Sequence, residues 1–326
     1  MDPGHNVSMT ALLRRYGTLV AVALVIAYFW LELPTTFLTG RNLLNISQQM
    51  SMLGVVAATM TVVMAMGDFD LSVGSMASLS GIVAALVFIS GGSAPLAIGA
   101  ALLTGLTGGV INGALVAYVG ILPFIATLGA MTVFSGLAFK LSGGQTLFGG
   151  AIPHAFSDFA RSGVPLLSTG LVIPNLTLIA GATIAVAWIL LEQTIVGRRL
   201  YAIGGNAEAA RLAGVPVRPL RLAAFGIAGL GAAGAGLMYA SRVASANPTQ
   251  GAGLMLDAIA AVFLGQSMTE EGEPRVLATV AGVLILGIIG NGLTQLNVDS
   301  YVRDILTGSI VIAAVAISSY GKTRAR

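Results

Sequence analysis

Apolar residues run through this chain in blocks too long for strands and too continuous for the one-sided helices of a soluble domain. Residues 16–31, 42–67, 71–139, 162–191, 222–241 and 276–298 contain no Asp, Glu, Lys or Arg. A bilayer crossing takes roughly 20 apolar residues, so the block at 71–139 alone holds about three. Divided at Pro34, Gly91, Gly92, Pro123, Gly143, Gly144 and Pro248, where helices break, the blocks predict ten spans. These are 16–34, 45–67, 71–90, 94–119, 123–141, 172–192, 221–242, 252–267, 275–294 and 299–319. The expected fold class is an all-α membrane protein. Only two hydrophilic stretches have any length: 142–171, with a short helix expected near 154–159, and 193–221, which carries five Arg. Neither can fold as a catalytic domain, and 1–326 reads as one transmembrane domain.

Charge sets the expected orientation. An inside N-terminus makes Arg14, Arg15, Arg198, Arg199, Arg211, Arg218, Arg221, Arg275, Lys322, Arg324 and Arg326 cytoplasmic. It leaves Arg41, Lys140, Arg161, Arg242 and Arg303 outside, eleven cations against five. The positive-inside rule therefore places both termini in the cytoplasm. Arg14 and Arg15 ahead of an apolar run imitate a signal peptide. That run ends in Glu32, Leu33 and Pro34 without a small-x-small site, so it reads as an uncleaved first span.

A repeat runs at an offset of 179 residues: Asn112-Gly113 in the fourth span recurs as Asn291-Gly292 in the ninth. The same shift lays span two on seven and three on eight. Units of five spans would be inverted relative to one another, an arrangement common in transporters; chance matching of Gly-rich apolar text is the competing reading.

Composition narrows the chemistry. Hydrophobic residues make up 56% and charged residues 9%, against about 25% charged in a soluble domain. The 43 glycines follow no Gly-X-Y period and suit closely packed membrane helices. The absence of Cys excludes disulfides, thiolate metal sites and cysteine nucleophiles. His5 and His154 are the only histidines, too few for a His-based metal site. The net charge of +3 fits cytoplasmic loops rather than a nucleic-acid partner. Gly229, Gly231 and Gly234 match the dinucleotide fingerprint but lie inside an apolar span, not in a strand–turn–helix. Gly321-Lys322-Thr323 imitates the end of a P-loop, with Ala316 where its first glycine belongs. No cofactor or nucleotide site is expected on this chain; if transport is ATP-driven, the motor is another subunit.

Three clusters stand out. Asp68, Asp70 and Ser72 lie between the second and third apolar runs, where a carboxylate is costly unless it meets an interface, a broken helix or water. They fit a capped interfacial turn or a polar break lining a path. Asn247-Pro248 breaks the chain after span seven, and Asp257 then opens an apolar run. That carboxylate fits an ion pair with Arg242, a helix cap or a solute contact. Asn112 and Asn291 are the paired polar residues of the repeat. In the third cluster, Asn206 is a good N-cap, 207–213 forms helix and Gly214 stops it. This short helix between glycine breaks suits docking into a partner's groove.

At these residues the chain resembles the permease subunit of ATP-binding-cassette importers of the ribose/xylose/arabinose type, from about 42 to 317. The resemblance rests on 67–75, on 112–128, on 204–215 and on 256–262; the wording of GDFDLSV and GGNAEAARLAGVPV is nearest to arabinose permeases. It implies a bacterial inner-membrane subunit importing a monosaccharide beside a second permease copy or paralogue. It also implies cytoplasmic ATPase subunits, which hold the ATP and Mg, and an extracytoplasmic sugar-binding protein. Gly204, Gly205, Asn206, Glu208, Arg211 and Gly214 would then contact the ATPase. Asp68, Asp70, Ser72, Asn112, Asn247, Asp257 and Asn291 would line the path or serve as structural polar breaks. One departure is clear: the family's glycine-rich loop before span nine is here the acidic text at 265–275. An altered ATPase surface and one half of a heterodimer both fit that change. A channel or secondary carrier for a small polar solute is the alternative; the scarcity of carboxylates in the spans argues against ion coupling.

Overall fold

The computed structural model describes residues 22–166, 170–269 and 272–302, with positions 304–306, 308, 309 and 312. Arg14, Arg15, most of the expected tenth span and the basic tail lie outside the described residues. Six described helices are long and apolar enough to cross a membrane. They are α2 (Gly40–Met64), α4 (Ala94–Ala114, continued by a π turn at Leu115–Val119), α5 (Pro123–Ser142), α7 (Asn175–Trp188, with a π turn at Ile189–Gln193), α10 (Val217–Val243) and α12 (Val276–Gln295). Three shorter apolar helices are α1 (Val22–Glu32), α3 (Val73–Ile89) and α11 (Leu254–Gln266). The connections carry α6 (His154–Arg161), α8 (Ile195–Gly205) and α9 (Ala207–Leu212). Strand β1 (Leu147–Phe148) pairs antiparallel with β4 (Ser245–Ala246), and β2 (Gly163–Leu166) with β3 (Leu171–Pro174).

Expected spans 71–90 and 252–267 are helical to within two residues at each end, and both helices are short. At 1.5 Å per residue, α3 is about 26 Å long and α11 about 20 Å, against a hydrocarbon core of about 30 Å. A similar turn precedes each. Asp70 Oδ1 accepts from the Ser72 backbone N–H at 2.9 Å and from its hydroxyl at 2.6 Å. Asn247 Oδ1 accepts from the Thr249 backbone N–H at 2.8 Å and from its hydroxyl at 2.7 Å. Each side chain captures a donor two residues on, an Asx turn that holds the chain out of helix.

Helices α2 and α10 form the centre. From Ser51 to Met66 every residue of α2 and the turn after it is buried, as expected of a helix apolar all round. Helix α10 packs on α4, α3 and α2, and α2 on α12, α11 and α7. Glycine sets the closest of these approaches: a Cβ on Gly105 of α4 would stand 2.3 Å from the Gly229 carbonyl of α10. Small residues let membrane helices gain van der Waals contact at such distances.

The offset of 179 is visible in three dimensions. It carries α2 onto 219–243, α3 onto 252–268 and α4 onto 273–293, which overlie α10, α11 and α12. Exchanging the members of these pairs leaves the packing unchanged: α4–α10 becomes α12–α2, α3–α10 becomes α11–α2, and α3–α4 becomes α11–α12, all of which are in contact. Direction reverses. The end of α2 meets α8, whereas the start of α10 follows α9, so the two central helices run oppositely.

Candidate functional site

The break between α2 and α3 is built around two carboxylates with separate tasks. Gly67, at φ +78°, turns the chain out of α2. Asp68 then faces Arg221 of α10, with Nε 2.9 Å from Oδ2 and Nη2 donating to Oδ1 at 3.3 Å. The Nε–Oδ2 approach is an ionic contact and not an aligned hydrogen bond, since neither atom has a hydrogen-bond partner. A cation in the opening turns of a helix opposes its dipole, so Arg221 owes its place to Asp68. Asp70 belongs to a buried chain: Asn112 of α4 donates to the Ser72 hydroxyl at 2.8 Å, and Ser72 donates to Asp70. The sequence grouped Asp70 with Ser72 but set Asn112 apart as a repeat partner of Asn291; the fold joins it to Ser72. Arg221 was missed as their neighbour's partner because it is 153 positions from Asp68, with no local pattern to mark it.

The arginine-rich connection forms a helical knob against this break. Thr194 caps α8, accepting from Val196 N at 3.1 Å and Gly197 N at 3.4 Å. Asn206 caps α9, accepting from Glu208 N at 3.0 Å and Ala209 N at 2.9 Å, and Gly214 ends the segment at φ +82°. The expected cap, helix and stop are all present; α8 itself was not foreseen. A Cβ on Gly204 would stand 2.2 Å from the Ala65 carbonyl, so only glycine seats α8 directly on the end of α2. Two further ties hold the chain where α12 begins: Tyr201 of α8 donates its hydroxyl to the Pro274 carbonyl at 2.8 Å, and Glu192, in the π turn before α8, accepts from Val276 N at 2.9 Å. On the exposed face of α9, Arg211 grips Glu208 through Nε at 3.0 Å and Nη2 at 2.5 Å. That guanidinium holds the Glu208 carboxyl below the usual glutamate range.

On the other side of the break lies a cavity of about 580 Å³ between α3, α5 and the turn before α11. Its wall is mainly apolar, with Leu71, Met131, Phe139, Pro248 and Met255, and among these stand the hydroxyl residues Ser75, Ser78, Thr132, Ser135 and Thr249. Ser75, Ser78, Thr132 and Thr249 donate within the chain, which leaves their oxygens as acceptors. Among the described residues, no charged side chain lines it. Its floor is a backbone joint: a Cβ on Gly74 would fall 2.4 Å from the Gly251 carbonyl, and one on Gly251 would fall 2.1 Å from that of Gly74. Gly251 N also donates to Ser78 Oγ at 2.9 Å. The starts of the two short helices thus meet at one point.

None of the seven path candidates is in the cavity wall. Asp70, Ser72 and Asn112 hold the start of α3 from behind, and Asn247 does the same before α11, also donating to Thr146 at 2.6 Å. Asp257 stands in the first turn of α11. Asn291 lies elsewhere, at the far end of α2, accepting from Asn42 at 2.9 Å and Gln295 at 2.8 Å. The lining hydroxyls were missed, although Ser75 and Ser78 on α3, and Thr132 and Ser135 on α5, have the i,i+3 spacing that puts side chains on one helix face.

Residues 42–315 match the family described as branched-chain amino acid transport system / permease component. The chain belongs to this permease family. The ribose import permease protein RbsC of Escherichia coli (strain K12) is 36% identical, with 97% of each chain covered; that of Bacillus subtilis (strain 168) is 37% identical over 87% of each. The L-arabinose ABC transporter permease protein AraH of Azospirillum brasilense is 33% identical, over 97% of this chain and 90% of the relative. The resemblance read from the motifs is borne out. The three lie within a few per cent of one another, which separates the class of carrier from its sugar.

Proposed function

We propose that this chain is the membrane-spanning subunit of an ABC importer, passing a monosaccharide inward while separate cytoplasmic ATPase subunits, which hold the ATP and Mg, supply the work. The observation that carries this reading is the meeting of the starts of two short, repeat-related helices beside one cavity whose described lining is apolar with interspersed hydroxyls and no charge. Transporter sites occur where inverted repeats meet at broken helices. Hydroxyls exchange hydrogen bonds with a polyol without holding it as a charge would, which suits passage. In this reading the chain crosses a bacterial inner membrane ten times with both termini cytoplasmic, and the α8–α9 knob faces the ATPase. Movement of the knob reaches the cavity through Gly204 on α2 and through Tyr201 and Glu192 at the start of α12. An extracytoplasmic sugar-binding protein delivers the solute to the opposite mouth, and a second permease copy or paralogue completes the pore.

The test is purification of the tagged chain from native membranes in mild detergent, with mass spectrometry of its companions and sugar uptake after reconstitution. A soluble ATPase at near-equal stoichiometry and uptake that requires ATP are expected. If the chain emerges alone and moves sugar in liposomes without ATP, it is an autonomous channel or carrier.

A further inference from the structure

A second cavity, of about 870 Å³, opens at the other end of the molecule around the start of α2. It shares no lining residue with the first, and the 25 residues of α2 separate it from the α8–α9 knob. Among the described residues, its charged lining residues are Arg41 and Arg161. Both are exposed, and neither has an ion-pair or hydrogen-bond partner among the described residues. The fold puts them there deliberately enough to need an account. Gln48 of α2 donates to the Ala160 carbonyl at 2.8 Å, pinning the end of α6, and with it Arg161, beside α2. Arg41 is the second residue of α2, where the positive end of the helix dipole disfavours a cation. Two arginines and a helix start therefore line one cavity, and neither arginine has an ion-pair partner among the described residues. Thr36 and Asn45 add polar groups to the wall. The arrangement calls for an anion, and the planar guanidinium fork matches phosphate oxygens.

The surroundings say where that phosphate comes from. Trp30 and Tyr28 of α1 are each 52% exposed, and Leu38 and Leu43, on either side of Arg41, are 46% and 50% exposed. Exposed Trp and Tyr mark the membrane–water interface, and the leucines give acyl chains an apolar flank directly beside the cations. We propose that this cavity is a binding site for the headgroup phosphate of an anionic phospholipid, in the leaflet opposite the α8–α9 knob. The lipid sits on the α2–α12 flank, away from the hydroxyl-lined cavity, and neutralises the start of the central helix.

The full-length chain in nanodiscs of equal parts phosphatidylglycerol and phosphatidylcholine tests this, with retained lipid counted by native mass spectrometry. The wild type is expected to keep phosphatidylglycerol in preference to phosphatidylcholine. The double substitution Arg41→Gln/Arg161→Gln should lower that preference by roughly thirty-fold, from the usual contribution of two arginines near an anionic surface. Arg41→Lys/Arg161→Lys, which keeps the charge, should retain most of it. Equal retention of the two lipids by the wild type overturns the proposal, and needs no variant to fold. Unchanged preference in the Gln double variant overturns the site. Binding of inorganic phosphate in purely zwitterionic nanodiscs, with no preference for phosphatidylglycerol, reassigns the cavity to a soluble anion and overturns the lipid.

Discussion

Asp68 and Arg221 form an ion pair between largely buried side chains. Their side chains are only 6% and 25% exposed, so each depends on the other for charge balance. Removing one partner of a buried pair strands the other and costs about 3–5 kcal/mol; the partial exposure of Arg221 argues for the lower end. Asp68→Ala and Arg221→Gln are each expected to lower the melting temperature in detergent sharply. The double variant Asp68→Asn/Arg221→Gln should recover part of that loss; a double variant no better than the worse single one would show that the pair is not the source. Asp68 was legible in the sequence because a carboxylate beside long apolar runs is conspicuous. Its partner was not, because an arginine at the edge of a span looks like any other positive-inside charge until α10 is folded back on the break.

At the scale of elements, the question is how a knob of two short helices can move a bundle. Helix α9 was readable from Asn206, Glu208, Arg211 and Gly214 alone, since caps and stops are local chemistry. Helix α8 was not, and neither was its seat, because the Gly204–Ala65 approach joins backbones that nothing in the sequence pairs. Gly204→Val would push a branched side chain into the Ala65 carbonyl. Such intrusions cost about 1–3 kcal/mol; here the chain should still insert and still bind its ATPase through exposed α9, while uptake falls several-fold. Wild-type uptake would mean that force passes by another route. Glu208→Ala and Arg211→Ala act on the outer face instead, and each should reduce uptake with membrane insertion intact. Unchanged uptake in both would remove α9 from the ATPase contact.

Across the whole molecule, the repeat was the least local of the readings, and its offset holds for three helix pairs in their order and mutual packing, although the glycines of closest approach, Gly105 and Gly229, fall on Leu284 and Met50. The spacing placed α3 and α11 to within two residues at each end. What it could not supply was the pair of matching turns ahead of them, at Asp70–Ser72 and Asn247–Thr249, which look unrelated in the text because one uses a carboxylate and the other an amide. The reversed direction of the two halves leads to a topological prediction that the chain is well suited to test, as it has no cysteine of its own. Ala209→Cys, on α9, and Gly150→Cys, in the connection after α5, are expected on opposite sides of the membrane. An impermeant maleimide should label position 150 in intact cells and position 209 only after permeabilisation. Labelling of both from one side would break the ten-span arrangement.

The joint between Gly74 and Gly251 has a consequence for how such carriers diversify. It is made of main chain against main chain, so it offers no side chain through which a change of cargo can be written. The hydroxyls and the ring around it, by contrast, hang from the faces of α3 and α5 and can be exchanged one at a time. In the proposed carrier, selection can therefore retune what passes while the joint itself stays as it is, and a lineage built on it can keep one architecture through many changes of diet.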